Sequence, residues 1–123
     1  MNRISLQSLT VSQLVDRFTA LALEQYEAER HGDTARFNRL FDEVVRIKDE
    51  LAGRAGDQRS ALVTLFDHPN PHVRLNAAQR ALAVSPVAAR QALQRLWDNR
   101  EFPQAAYAHQ TLTALDEGTS RLS

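Results

Sequence analysis

The sequence predicts an all-α chain, built as an α-α superhelix of about three helix pairs. Three observations predict it. Apolar residues recur at helical spacing along almost the whole chain, while strand-like alternation is scarce. Two helix starts carry a proline at the first helical position, Pro71 and Pro86, where the missing N–H costs nothing. Finally, "ALVTLFD" at 61–67 recurs as "ALQRLWD" at 92–98, a spacing of 31 residues, and each copy is followed by a proline-started helix, at Pro71 and Pro103. A period of roughly 30 to 47 residues belongs to stacked two-helix repeats. A lone helix pair cannot bury its own apolar face, so neighbours must stack.

Taken in order, the first helix is expected over about 11–30, capped by Thr10 or Ser12. Leu14, Val15, Phe18, Leu21, Ala22 and Tyr26 share one side, and Gly32 suits a left-handed stop. The second helix starts at Asp33 or Thr34 and ends at the "GRAG" of 53–56, with an inner stripe from Phe37 through Leu40, Phe41, Val44, Val45 and Ile47 to Leu51. A short third helix covers 57–66. Asn70 caps a fourth that reaches Val84, Ser85 caps a fifth begun by Pro86, and a sixth starts near Pro103 with Ala105, Ala108, His109, Leu112 and Leu115 along one side. The chain reads as one domain: a divergent first pair over 1–56, the best repeat over 57–84, a partial repeat over 85–117, and a polar tail at 118–123.

Composition sets the outer limits. The chain has 123 residues, 43% of them hydrophobic and 24% charged, as ordinary globular domains do. Without cysteine it has no disulfide and no thiolate metal site, which fits a cytoplasmic protein. No apolar run approaches the roughly 20 residues a membrane helix needs, and the first residues lack a signal-peptide pattern. The net charge is zero but uneven: −2 over residues 1–53, +4 over 54–100 and −2 over 101–123.

One residue breaks the apolar pattern. At about 100° per residue, Val73, Ala77, Ala81 and Val84 line the fourth helix, with Leu75, Ala78 and Leu82 extending that surface, and Arg74 falls between the two groups. A buried guanidinium needs a carboxylate or several carbonyls. Asp67, one loop away, is the first candidate for a structural ion pair with Arg74, and Asp98 is the second. His72, Asn76, Gln79 and Arg80 fall on the other side.

Asp67, Pro69, Asn70, Pro71, Val73, Arg74, Ala77, Ala78, Ala81 and Leu82 together resemble the motif of HEAT and HEAT-like repeats. That motif is a short helix ending in Asp, a proline-bearing turn, then Val-Arg and a small-residue helix. The resemblance is good over 57–84 and partial over 86–117, where Ala105 and Ala106 replace Val-Arg. It is weak over 1–53. It implies that Asp67 and Arg74 form an inter-helix ladder. Length and layout are also similar to a small bacterial HEAT-like family catalogued only as a domain of unknown function.

Chemistry is sparse. His68 and His72 are four apart but separated by prolines, so they do not form a helical metal pair; His31 and His109 have no ligand partners at metal spacing. Lys48, within an apolar stripe, reads as a paired or snorkelling lysine, and Gln25 as a buried hydrogen-bonding residue. No phosphate loop or catalytic triad is present, so the expectation is a non-enzymatic protein without cofactor or metal.

The expected role is a protein-interaction module. In stacked pairs the second helices form the concave surface. Here those are the second, fourth and sixth, with Arg39, Glu43, Arg46, His72, Asn76, Gln79, Tyr107 and Thr111 facing outward. Tyr107 is the anchor candidate. The HEAT-like resemblance implies an adaptor, a regulator or an immunity partner that blocks a toxin. The alternative is nucleic-acid backbone binding through Arg80, Arg90, Arg95 and Arg100, as some HEAT-like proteins do. Zero net charge and a single lysine weigh against it. The open ends of a short stack also favour a weak homodimer.

Overall fold

The computed structural model describes residues 5–118. Among the described residues the chain is all-α. It has five α-helices and one long 3-10 helix, preceded by a short 3-10 turn, and no strand. It divides into two compact units, Met1–Ala61 and Leu62–Ser123. The polar tail beyond Gly118 lies outside the described residues.

In the first unit, α1 (Val11–Arg30) and α2 (Thr34–Gly53) form an antiparallel hairpin. Thr10 begins α1 with a full capping box: its hydroxyl accepts from the Gln13 amide, and the Gln13 side chain accepts from the Thr10 amide. At the other end Gly32 sits at φ 69°, and the next amide, Asp33 N, donates to Ala28 O at 2.8 Å, satisfying a carbonyl the helix leaves open. Asp33 then caps α2 through the Arg36 amide. Leu14, Phe18, Leu21, Ala22 and Ala28 are buried on α1; Leu40, Val44, Ile47 and Leu51 are buried on α2. Phe41, expected in that stripe, is 43% exposed. Gln25 is buried and donates to Phe37 O at 3.3 Å. Lys48 pairs with the neighbouring Asp49 at 2.9 Å. Arg54 fastens the leading turn, donating to Leu6 O and Leu9 O while holding Glu50 at 2.6 Å.

The segment expected as a third α-helix is a 3-10 helix, Gln58–Asp67. Its start is fixed by Asp57, at φ 50°, whose carboxylate accepts from the Arg59 guanidinium at 2.8 and 2.6 Å. That pairing holds Asp57 below the usual carboxylate pKa, with the Arg59 hydrogen bond as the main cause.

The second unit holds α3 (Pro71–Ala81), α4 (Pro86–Asp98) and α5 (Gln104–Asp116). Asn70 caps α3, its side-chain oxygen accepting from the amides of His72 and Val73. The α-helix stops at Ala81, and 82–84 form a turn instead of continuing to Val84. Ser85 precedes α4 without a side-chain capping bond. Pro103 stands just outside α5 instead of opening it. The core of this unit is Leu62, Phe66, Val73, Leu75, Ala77, Ala78, Ala81, Leu82, Ala89, Ala92, Leu93, Leu96, Ala105, Ala108 and Leu112. Alanine predominates, which lets the helix backbones approach closely.

Candidate interaction surface

Two side-chain bonds fix how α3 and α5 lie. Gln79 Nε2 donates to Thr111 Oγ1 at 3.2 Å, and Gln104 Nε2 lies 3.5 Å from His72 Nδ1. Both pairs are 32 residues apart, and both follow the prolines that mark the repeat. Residue order is the same at both bridges, so the two helices run parallel.

His72 and Asn76 were expected to face solvent, yet both are buried, at 3% and 4% exposure. The reason is that α3 is covered on more than one side, packing against both α4 and α5. His72 sits among buried groups, and loss of solvent pushes its pKa down to about 4. Asn76 Nδ2 donates to His72 O at 3.2 Å. Gln104, also buried, keeps its Oε1 without a hydrogen-bond partner. His72, Asn76 and Gln104 are thus an internal polar cluster and not an outward surface.

What remains outward on this side is Gln79, Thr111 and Tyr107. Tyr107 is 38% exposed, one turn from Thr111, whose hydroxyl donates to Tyr107 O at 3.1 Å. In the first unit Arg39, Glu43 and Arg46 are exposed on one face of α2.

The charge on α3 finds a carboxylate other than the one expected. Arg74 pairs with Glu101, in the turn between α4 and α5, through Nη1 at 2.8 Å and Nη2 at 2.6 Å. Each partner's hydrogen bonds shift the other: the Arg74 pKa is raised and the Glu101 pKa lowered. Asp67 is exposed, and among the described residues no ion pair joins it to Arg74. Local spacing points to a near carboxylate, and Glu101 lies 27 residues on.

The four arginines considered for nucleic acid differ in exposure and pairing. Arg90 is tied to Asp116 at 2.7 Å, and Arg80 is half-buried. Arg95 and Arg100 are exposed. Arg100 belongs to a cluster that the sequence pattern did not reveal. Its guanidinium carbon lies 4.9 Å from the centre of the Trp97 ring, Trp97 stacks on His109 at 4.2 Å, and Phe102 meets Trp97 edge-on at 6.2 Å. His109, expected on the apolar side, is exposed. The signal that was available is the repeat itself, which aligns Trp97 with Phe66. His68 accepts from the Asn70 amide at 3.0 Å, a turn-stabilising role. Among the described residues no three His, Asp or Glu side chains group closely enough to hold a metal ion.

Residues 12–116 match a family model described as a domain of unknown function, DUF2019. The chain belongs to this family. A crystal structure similar to this DUF2019 chain is that of the protein RPA1889 from Rhodopseudomonas palustris CGA009. It is 43% identical, covering 98% of this chain and 100% of that one, with a TM-score of 0.95. No curated protein matches this DUF2019 chain.

Proposed function

We propose that this DUF2019 chain is a non-enzymatic protein-interaction module built on HEAT-like helix pairs, with its partner seated along α3 and α5. The observation that carries the reading is the pair of bridges 32 residues apart, His72–Gln104 and Gln79–Thr111. They hold α3 and α5 parallel and side by side, the relation that second helices of consecutive repeats have in a stack. Tyr107, partly exposed beside Thr111, offers the large amphipathic side chain that interfaces use as an anchor. Adaptor, regulator and toxin-blocking immunity protein are roles such a surface serves.

Affinity capture from a lysate of the source cells, with and without nuclease, tests this. One stoichiometric protein that survives nuclease and is lost with Tyr107→Ala is the expected result. A recovered set that vanishes with nuclease would instead assign the chain to nucleic acid and overturn the reading.

A further inference from the structure

Three helices of this chain end alike. α1, α4 and α5 each run into one residue in the left-handed region: Gly32 at φ 69°, Arg100 at φ 58° and Gly118 at φ 70°. At the end of α4 the Arg100 amide donates to Trp97 O at 3.1 Å, and the Glu101 amide to Leu96 O at 3.4 Å. The α1 end makes the equivalent bonds, Gly32 to Glu29 O and Asp33 to Ala28 O. In this geometry a Cβ crowds the neighbouring backbone, which is why glycine is the usual occupant. Two ends obey the rule. The third holds an arginine against its own backbone preference, and strain kept in place directs attention to what the side chain does there.

What it does is lie over the chain's single tryptophan. Trp97, His109 and Phe102 form a continuous aromatic surface, with Phe102 56% exposed. Of the nearby carboxylates, Glu101 holds Arg74 and Asp98 accepts from Gln94. Arg100 has no carboxylate within ion-pair distance among the described residues. A guanidinium held over a ring face keeps its N–H edges for an anion, and it suits a carboxylate in particular. The cluster thus sets the exposed Phe102 ring beside one uncompensated, pre-positioned cation.

The geometry points to a docking site at Arg100, Trp97, Phe102 and His109 for a partner protein segment that carries a carboxylate beside an aliphatic or aromatic side chain. The carboxylate pairs with Arg100, and the apolar side chain lies on Phe102. A nucleic-acid strand fits less well. Residues 62–123 carry six basic and five acidic side chains, too balanced a set to neutralise a run of phosphates. The proposal rests on the protein-interaction reading and gives it a second contact. At about 100° per residue, Tyr107 and His109 fall on opposite flanks of α5.

The probe is a phage-displayed random peptide library panned on the full chain. Recovered peptides are then synthesised and titrated against Trp97 fluorescence. The expected consensus is Asp or Glu close to Leu, Phe, Tyr or Trp. Arg100→Gly should weaken the best peptide at least tenfold while raising the Tm by about 3 °C, because glycine relieves the backbone. Arg100→Ala keeps the strain and should lose binding with no gain in Tm. Failure to recover such a consensus overturns the proposal, as does unchanged affinity in Arg100→Gly. A single-stranded oligonucleotide that shifts Trp97 fluorescence at lower concentration than any peptide overturns it too. If a lysate partner is lost with Tyr107→Ala yet held by Arg100→Gly at wild-type affinity, the interaction module stands and this second contact falls.

Discussion

Two side chains of α3 set much of what can be measured on this protein. Arg74 meets Glu101 with both terminal nitrogens, and its side chain is 15% exposed. A two-pronged charged contact at that depth is worth about 2 kcal/mol. Arg74→Ala should cost about that much in urea denaturation, and Asp67→Ala much less; equal costs would contradict the observed pairing. The lowered pKa of Glu101 means this contribution is present above its ordinary 4.5 and fades as the pH falls below it. His72 works in a different window. Its folded pKa is near 4 against an ordinary 6.5, so the fold favours the neutral ring. Stability from this residue is complete above pH 6.5 and is lost as pH falls from there towards 4, about 3 kcal/mol in all. The stability gap between wild type and His72→Gln should therefore shift steadily across that range. A gap that stays constant would show that the ring is not held neutral.

At the scale of elements, short-range chemistry was readable and long-range coverage was not. Thr10, Asp33 and Asn70 cap α1, α2 and α3 as their side chains suggest, because a cap acts over three residues. Asn70→Ala should lower stability by about 1 kcal/mol, checked by thermal melts, whereas Ser85→Ala should cost little since Ser85 makes no capping bond. The 3-10 course of Gln58–Asp67 was hidden, since its apolar spacing serves either helix type over so short a run. His72 and Asn76 were placed outside by a rule that grants a helix one buried face. α3 has more than one, and nothing in its own eleven residues announces the second. The Trp97 cluster was missed for a similar reason: its members come from α4, the following turn and α5, and only the fold brings them together.

For the molecule as a whole, charge balance is the governing property. Fifteen basic residues face fifteen acidic ones, and the isoelectric point is close to 6.9. With no net repulsion at neutral pH, self-association and low solubility should be greatest near pH 7 and ease on either side. Static light scattering over that range checks this, and a scattering maximum elsewhere would mean that local patches outweigh the total. The bridges at His72–Gln104 and Gln79–Thr111 carry one more implication. They share one offset: shift either bridging residue of α3 by 32 positions and its mate is found on α5. A rule of that kind has no built-in last term. Duplicating the stretch 72–103 in tandem should give a longer soluble chain with proportionally more helix by circular dichroism, its new helix reading α5 as α5 reads α3.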